Sequence, residues 1–277
     1  MPGYGNAERS AMSVESVTTP HLSLVIPAYN EVHRLEDSLQ TALAYLATLP
    51  FSTELILVDD GSTDDTPFLA ERLTAQRADA WVLRCKHGGK ARAVKAGMDA
   101  ASGDLIAFSD VDLATPLSYL IDLRAAVVHG CEIAIASREG VGARRMDEPF
   151  YRHAMGRLFN LLVRMVVLPG IDDTQCGFKM FRRDAATAIL KRSRLYSDPN
   201  ANLAGPRVTA FDVELLVIAK RLGYRVCPIP VVWTAGEQSK VSPVIDTIQN
   251  FLDVLNVRLH DWHGHYTPSA DADNDGQ

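Results

Sequence analysis

From His21 to Ser137 the chain alternates between short apolar runs of the strand type and longer segments with apolar residues at helical spacing. No other feature constrains the fold as much. LSLVIP (22–27), TELILV (53–58), AWVLR (80–84), DLIAFSD (104–110) and EIAIAS (132–137) read as strands. Between them, EVHRLEDSLQTALAYLATL (31–49) carries Leu35, Leu39, Ala42, Leu43 and Leu46 on one helical face. TPFLAERLTAQ (66–76), KARAVKAGMDAAS (90–102) and PLSYLIDLRAAVVHG (116–130) supply three more helices, with Pro67 suited to a first turn. Strands alternating with helices specify an α/β fold, a parallel sheet covered on both faces. Ligands of such sheets bind beyond the carboxyl ends of the strands. The polar residues gather there: Asn30 and Glu31, Asp59 and Asp60, Asp110 and Asp112, Ser137 and Arg138. The alternation therefore predicts four clusters on one rim.

The second half is less regular. FYRHAMGRLFNLLVRMVVL (150–168) reads as an amphipathic helix, CGFKMF (176–181) as a strand and RDAATAILKR (183–192) as a helix. SRLYSDPNANLAGPRVTA (193–210) is polar and punctuated by Pro and Gly, hence a loop. FDVELLVIAKRLG (211–223) reads as a helix closed by its glycine, RVCPIPVVWT (225–234) as an edge strand with prolines, and VIDTIQNFLDVLNVRLHDW (244–262) as a last helix. The organisation expected is a loose tail over 1–20, a main domain over 21–235 in two halves (21–137 and 138–235), a loop and helix over 236–265, and a disordered acidic tail over 266–277.

Composition narrows the function classes. A net charge of -6 offers no basic bias for phosphate backbones, so nucleic-acid binding as the main activity is excluded. Cys85, Cys131, Cys176 and Cys227 form no CxxC pair, which argues against zinc, and they read as reduced thiols of a cytosolic protein. No apolar run approaches the ~18 residues of a membrane span, and the first twenty residues lack the apolar core of a signal peptide. In TPSADADNDGQ the glycine is misplaced and the bidentate Glu missing for a calcium loop; a solvated tail is the simpler reading.

Two acidic motifs point to chemistry. In LILVDDGSTDDT (55–66) a strand ends on adjacent carboxylates, although a turn needs one Asp beside its Gly. In SDVDLATP (109–116), Asp110 and Asp112 follow another strand. Such a pair suits one hard cation, Mg²⁺ or Mn²⁺, bridged to a diphosphate, or else a turn and helix cap.

VIPAYNE, ILVDDGSTDDT, GGKARAVKAGM and SDVDLATP together resemble the nucleotide-binding half of family 2 glycosyltransferases with the GT-A fold. DTQCGFKMF (173–181), FDVELL (211–216) and SKV (239–241) resemble its dolichyl-phosphate or polyprenyl-phosphate branch, on the glucosyltransferase side more than the mannosyltransferase side. The resemblance covers residues 22 to about 260. It implies a Rossmann-like, mostly parallel sheet flanked by helices, with further helices at the C-terminal end. Donor contacts are expected from Pro27, Ala28, Tyr29, Glu31, Asp59, Asp60, Lys90, Asp110 and Lys240, with Asp60 the direct contact of the acidic pair. Asp110 and Asp112 are expected to hold the metal. Asp173 and Gln175 are expected on the acceptor side, with the basic group Arg138, Arg144 and Arg145; Arg152 follows them. Tyr29 could also serve simply in packing, Lys90 could be solvated, and Glu214 could answer the helix dipole.

The reaction implied is a single inverting transfer of a hexose, with glucose from UDP-glucose favoured, to a polyprenyl or dolichyl phosphate. A phosphate acceptor is already ionised, its second pKa being about 6, and needs Arg138 more than a base. A hydroxyl acceptor on a small molecule, peptide or saccharide needs a carboxylate base, Asp212 first and Glu214 second. The same motifs would also suit a GDP-mannose-dependent enzyme or an inactive nucleotide-sugar-binding module. Ala114 stands two places beyond Asp112 where the mannosyl branch often has Gln. Many relatives carry membrane spans, and this chain shows none, so a peripheral contact with the cytoplasmic face of a membrane is the form of attachment considered. The helix over 150–168, with Arg152, Arg157 and Arg164, could make it or pack on the main domain.

Overall fold

The computed structural model describes residues 21–146, 156–157, 159–160, 163, 167–195, 210–235 and 243–267. Five strands of the alternation form as expected: β1 (Leu22–Ala28), β2 (Thr53–Asp59), β3 (Ala80–Arg84), β4 (Leu105–Phe108) and β5 (Ile133–Ser137). Helices α1 (Val32–Leu46), α2 (Thr66–Thr74) and α3 (Lys90–Ala100) connect the first four. The segment before β5 opens with a 3-10 turn at Leu117–Tyr119 and continues as α4 (Leu120–Val128). Beyond β5 come β6 (Arg144–Met146), β7 (Lys179–Arg182), α5 (Arg183–Leu190), α6 (Phe211–Arg221), β8 (Val226–Pro230), β9 (Val232–Thr234) and α7 (Pro243–Trp262).

The main sheet has seven strands in the order β3-β2-β1-β4-β7-β5-β8, and β6 pairs with β9 in a small second sheet. All pairs in the main sheet are parallel except those of β7, which runs against both β4 and β5. That reversal matters for the site. The parallel strands bring their carboxyl ends to one rim, whereas β7 brings its amino end there. The residues just before Lys179 therefore arrive at the same rim as Asp59 and Asp110.

Two apolar cores flank the sheet. One packs α1, α2 and α4 against Leu24, Leu55, Leu57 and Ala107. The other packs α3, α5, α6 and α7 against Val25, Ile56, Phe108 and Phe181. Helix α6 is buried along Phe211–Ala219, including Asp212 and Glu214, so it is an internal helix. β8 lies at the sheet edge, where Pro228 and Pro230 leave no central ladder bond unmade.

Three expectations are corrected. Cys131 and Cys227 are not free thiols: they form a disulfide, Cα–Cα 6.1 Å, between the entry to β5 and the adjoining edge strand. Ala134 pairs with Cys227 in register, which carries the two sulfurs together although 96 residues separate them. Cys85 and Cys176 are free. The run 225–234 is two strands, not one, because it leaves the main sheet after Pro230 and joins β6. Tyr266, assigned to the acidic tail, is fully buried. The helix expected over 150–168 lies largely outside the described residues, as does the whole 1–20 tail; Phe159, Asn160 and Val163 within the helix are buried.

Candidate active site

The rim is laced together by its own polar residues. Asn30 follows β1 with φ 53°, in the left-handed region that asparagine tolerates. Its amide N–H donates to Ser62 Oγ at 2.9 Å, and its side-chain oxygen accepts from Thr63 N–H at 2.8 Å. The Glu31 amide donates to Thr66 Oγ1 at 2.8 Å. The polar cluster after β2 thus braces the loop after β1.

Asp59 and Asp60 have distinct jobs. Asp59 accepts from the Ser62 amide at 3.2 Å and shapes its own turn. Asp60, 2% exposed, accepts from the Gly88 and Gly89 amides, each at 2.8 Å, and contacts His87 Nδ1 at 2.9 Å. Burial pushes the Asp60 carboxyl up, partly offset by these amides and His87. Gly61, at φ +69°, has no room for a side chain, because a Cβ there would meet the His87 backbone nitrogen at 2.5 Å. His87 in turn stacks on Tyr29, ring centroids 4.1 Å apart. Asp60 therefore anchors the His-Gly-Gly loop, and the Tyr29–His87 stack gives the rim an aromatic wall. Pro27 and Ala28 are buried in β1 beneath it. Sequence reasoning missed His87; its signal was a ring-bearing residue directly before two glycines and a helix start.

The loop before α3 leads to the second acidic pair. Lys90, the first residue of α3, places Nζ 2.5 Å from Asp110 Oδ1, and both side chains remain partly exposed. Desolvation alone would lower the Lys90 pKa; Asp110, and behind it Asp212, outweigh this and hold the ammonium above the usual lysine range. Asp112 opens to solvent, yet atoms crowd its carboxyl: that burial, and then the Asp110 charge, push it up, while the Ala114 amide donates to Oδ1 at 3.1 Å. Gly177, just before β7, lies against Asp110, where a Cβ would fall 2.1 Å from Oδ2. Any side chain at 177 would evict the Asp110 carboxylate. This contact gives the glycine of DTQCGF a role that the motif alone did not reveal.

The antiparallel β7 brings in the other half. Asp173, fully buried, receives Arg138 through three bonds: backbone N–H 2.8 Å, Nε 2.8 Å and a terminal nitrogen 2.9 Å. Burial raises the Asp173 carboxyl, but Arg138 overrides it and holds it far below the usual carboxylate range. The Gln175 amide also donates to Asp173, at 3.2 Å. Arg138 lies over the Trp233 ring at 5.5 Å. Lys179, on β7, is completely buried; its Nζ lies 2.6 Å from Asp212 Oδ1 and 2.6 Å from the Cys176 carbonyl. Sequence reasoning passed over Lys179, although a lone charge inside the apolar GFKMF was the available signal.

Other expected site residues are placed differently. Of the basic group, Arg138 is committed to Asp173 and Arg145 to Glu139 at 3.0 Å; Arg144 is exposed on β6. Glu31 pairs with Arg34 at 2.9 Å. Glu214 is not open to the rim: fully buried, it accepts from Ser193 Oγ, the Arg194 and Leu195 amides, and the Tyr266 hydroxyl at 2.7, 2.7, 3.0 and 2.8 Å. It ties the C-terminal segment to the end of α5. Lys240 and Arg152 lie outside the described residues. Among the described residues no group of three or more His, Cys, Asp or Glu side chains encloses a metal position, and no helix is long and apolar enough to cross a membrane.

A mostly parallel sheet with acidic loops on one rim and a single reversed strand inside it defines a glycosyltransferase of the GT-A class, and a hexosyltransferase by its relatives. Residues 23–190 match glycosyl transferase family 2, and the chain belongs to that family. It is 32% identical over 262 residues to the dolichyl-phosphate beta-glucosyltransferase of Homo sapiens, covering 89% of this chain and 78% of that one. It is 34% identical over 247 residues to glycosyltransferase AglD of Haloferax volcanii; that match covers 87% of this chain but spans only 37% of AglD. Among solved structures, glucosyl-3-phosphoglycerate synthase from Mycobacterium tuberculosis, in complex with Mn²⁺, UDP-glucose and phosphoglyceric acid, superposes with a TM-score of 0.60 at 20% identity, covering 91% of this chain and 82% of that one.

Proposed function

We propose that the protein transfers glucose from UDP-glucose to a polyprenyl phosphate, with inversion at the anomeric carbon. The observation that carries this reading is the buried Lys179–Asp212 pair, in a chain 32% identical to a dolichyl-phosphate glucosyltransferase. Asp212 is the carboxylate best placed by sequence to deprotonate a hydroxyl acceptor. Accepting a proton would leave the Lys179 ammonium buried without its counter-charge, a costly state. An acceptor that arrives as an anion needs no such step.

In this reading Tyr29 and His87 wall the base, while Asp60 holds the glycine loop against the nucleotide. Pro27, Ala28, Glu31 and Asp59 set the floor and turn of that pocket. Lys90 offsets developing charge on the leaving diphosphate, assisted by Lys240. Arg138, Arg144 and Arg145 orient the acceptor phosphate, with Asp173, itself held by the Gln175 amide, fixing Arg138. Glu214 drops out as a base, because four donors already hold it.

The acidic pair fits a hard divalent cation. Asp110 and Asp112 offer only oxygen donors, and the Asp110 charge bears on the crowded Asp112 carboxyl. A solved relative of the same fold carries Mn²⁺ and UDP-glucose together. Asp110 and Asp112 would hold such an Mg²⁺ or Mn²⁺, which would supply charge stabilisation for the departing diphosphate. Lys90, now on Asp110, would remain close enough to share that task.

The test is a transfer assay with UDP-glucose and GDP-mannose against a short-chain polyprenyl phosphate and the corresponding free polyprenol. Glucose transfer confined to the phosphate is the expected result. Transfer to the free alcohol at a comparable rate would overturn the acceptor, and mannose transfer from GDP-mannose would overturn the donor.

A further inference from the structure

Helix α7 carries four large apolar side chains on its outer side. Leu252, Leu255, Leu259 and Trp262 are 52%, 37%, 49% and 82% exposed. Spacings of three, four and three residues put them on one helical face. The opposite face is buried: Val254 and Val257 enter the core, and Asp253 and Asp261 turn inward with 6% exposure each. Those are the helix's two carboxylates from residue 250 onward. The exposed residues of 251–263 are therefore the four apolar ones with Asn256, Arg258 and His263, and none is acidic. In a chain of net charge -6 that distribution is a local exception.

The stripe also has a meaningful place. Asp253 Oδ2 lies 3.4 Å from the Ala210 amide, just before α6, and Asp261 pairs with Arg221 at the far end of α6. Helix α7 therefore runs beside α6 in the same direction, and the Leu252 end of the stripe lies one helix layer, about 10 Å, from the turn that bears Asp212.

We propose that this face of α7 seats the protein on an anionic lipid bilayer, beside the acceptor half of the site. Leucines with a terminal tryptophan suit the boundary between headgroups and acyl chains. Arg258 is paired with the inward Asp261 at 3.1 Å, so what suits the face to anionic headgroups is that it exposes no carboxylate to repel them. Four side chains over three turns are a small area for a stable dimer, which needs roughly 800 Å² per partner. The proposal rests on the reading of the acceptor as a lipid phosphate, which would then meet the protein at the membrane plane.

The test is co-sedimentation of the full chain with vesicles of phosphatidylcholine alone and of equal parts phosphatidylcholine and phosphatidylglycerol. Wild-type protein is expected to pellet with the anionic vesicles and to show a blue shift of tryptophan emission. The quadruple variant Leu252→Ser, Leu255→Ser, Leu259→Ser, Trp262→Ser should partition at least ~10-fold less, because the apolar area it offers the acyl boundary is gone. Its thermal midpoint should stay near wild type, since exposed positions carry little of the fold's stability. Trp262→Phe should keep binding and lose the blue shift. Wild-type protein left in the supernatant, or a quadruple variant that pellets equally well, would overturn the proposal. So would light scattering that shows a dimer converted to monomer by the same substitutions. Transfer to polyprenyl phosphate in detergent, without vesicle binding, would remove the surface and leave the acceptor reading. Vesicle binding without any transfer would do the reverse.

Discussion

The two halves of the rim hold their carboxylates by different means. On the donor side Asp59 and Asp60 are gripped chiefly by backbone amides of Ser62, Gly88 and Gly89. On the acceptor side Asp173 and Asp212 are gripped by cations, Arg138 and Lys179. Amides donated by a loop tie charge to local backbone shape, so that half is set by turns and glycines. Ion pairs between distant elements tie charge to tertiary packing: Arg138 and Asp173 are 35 residues apart, Lys179 and Asp212 33. Removing one partner of a buried pair strands the other, whereas removing one amide acceptor leaves neutral donors. The acceptor half should accordingly be the more brittle.

The largest effect expected is at Lys179. Replacing it by Met keeps length and removes charge, leaving Asp212 buried at 6% exposure without its cation. Stability should fall by about 3–5 kcal/mol in urea unfolding. The double variant Lys179→Met, Asp212→Asn should recover much of that loss. A single variant within about 0.5 kcal/mol of wild type, the usual range of a surface substitution, would show that the two halves are held alike.

Next is the metal. If a divalent cation links the acidic pair to the donor, EDTA should abolish transfer and Mn²⁺ or Mg²⁺ restore it. Asp112→Ala should lower kcat by ~10²-fold or more, the scale of losing one well-placed electrostatic stabiliser. Because the Asp112 residue opens to solvent while its carboxyl is pushed up by burial and then by the Asp110 charge, the same variant should not lower the thermal midpoint. Full activity in EDTA would instead make the pair a turn and helix cap.

A smaller change is expected from Asp60→Asn. The Gly88 and Gly89 amides keep one acceptor oxygen but lose its charge, and His87 loses its anionic partner. UDP-glucose affinity should fall by ~1–2 kcal/mol through a looser His87 loop and Tyr29 stack. Calorimetry that shows an unchanged Kd would detach Asp60 from donor binding altogether.

How far the sequence anticipated this molecule differs by half in the same way. Periodicity located β1 to β5 and three connecting helices, and the rule that ligands gather at strand ends brought Asp59, Asp60, Asp110 and Asp112 together. Local chemistry determines those features, so they are readable locally. A four-residue run such as Lys179–Arg182 does not state its direction, and without the antiparallel β7 neither Gly177 on Asp110 nor Lys179 on Asp212 can be foreseen. Glu214 near a helix start looked like a dipole partner or a base. Only a helix buried all round, with Tyr266 returning from the C-terminal side, makes it a tie between segments. Cys131 and Cys227 looked isolated because their pairing depends on the register of β5 against β8.

The gentlest test of the contrast uses pH, because the two halves should respond with opposite signs. Asp60 is held above its ordinary pKa, so the folded state takes up its proton before the unfolded chain does. Its contribution to stability grows as pH falls from that raised value toward about 3.9, the unfolded value, and is lost as pH rises through the folded pKa. Asp173 is held far below the usual range by Arg138, so its contribution is complete above about 3.9 and disappears only as pH falls through its depressed folded value. Between pH 7 and 5 the Arg138–Asp173 clamp should therefore add no slope. Below about 4 it should dominate, with stability dropping steeply as pH is lowered. Urea unfolding at a series of pH values, for wild type and for Asp60→Asn, separates the two: the variant should lose the mild-acid gain and keep the steep loss. A wild-type profile that already falls between pH 7 and 5, unaltered by Asp60→Asn, would mean that neither carboxylate is held as the packing around it implies.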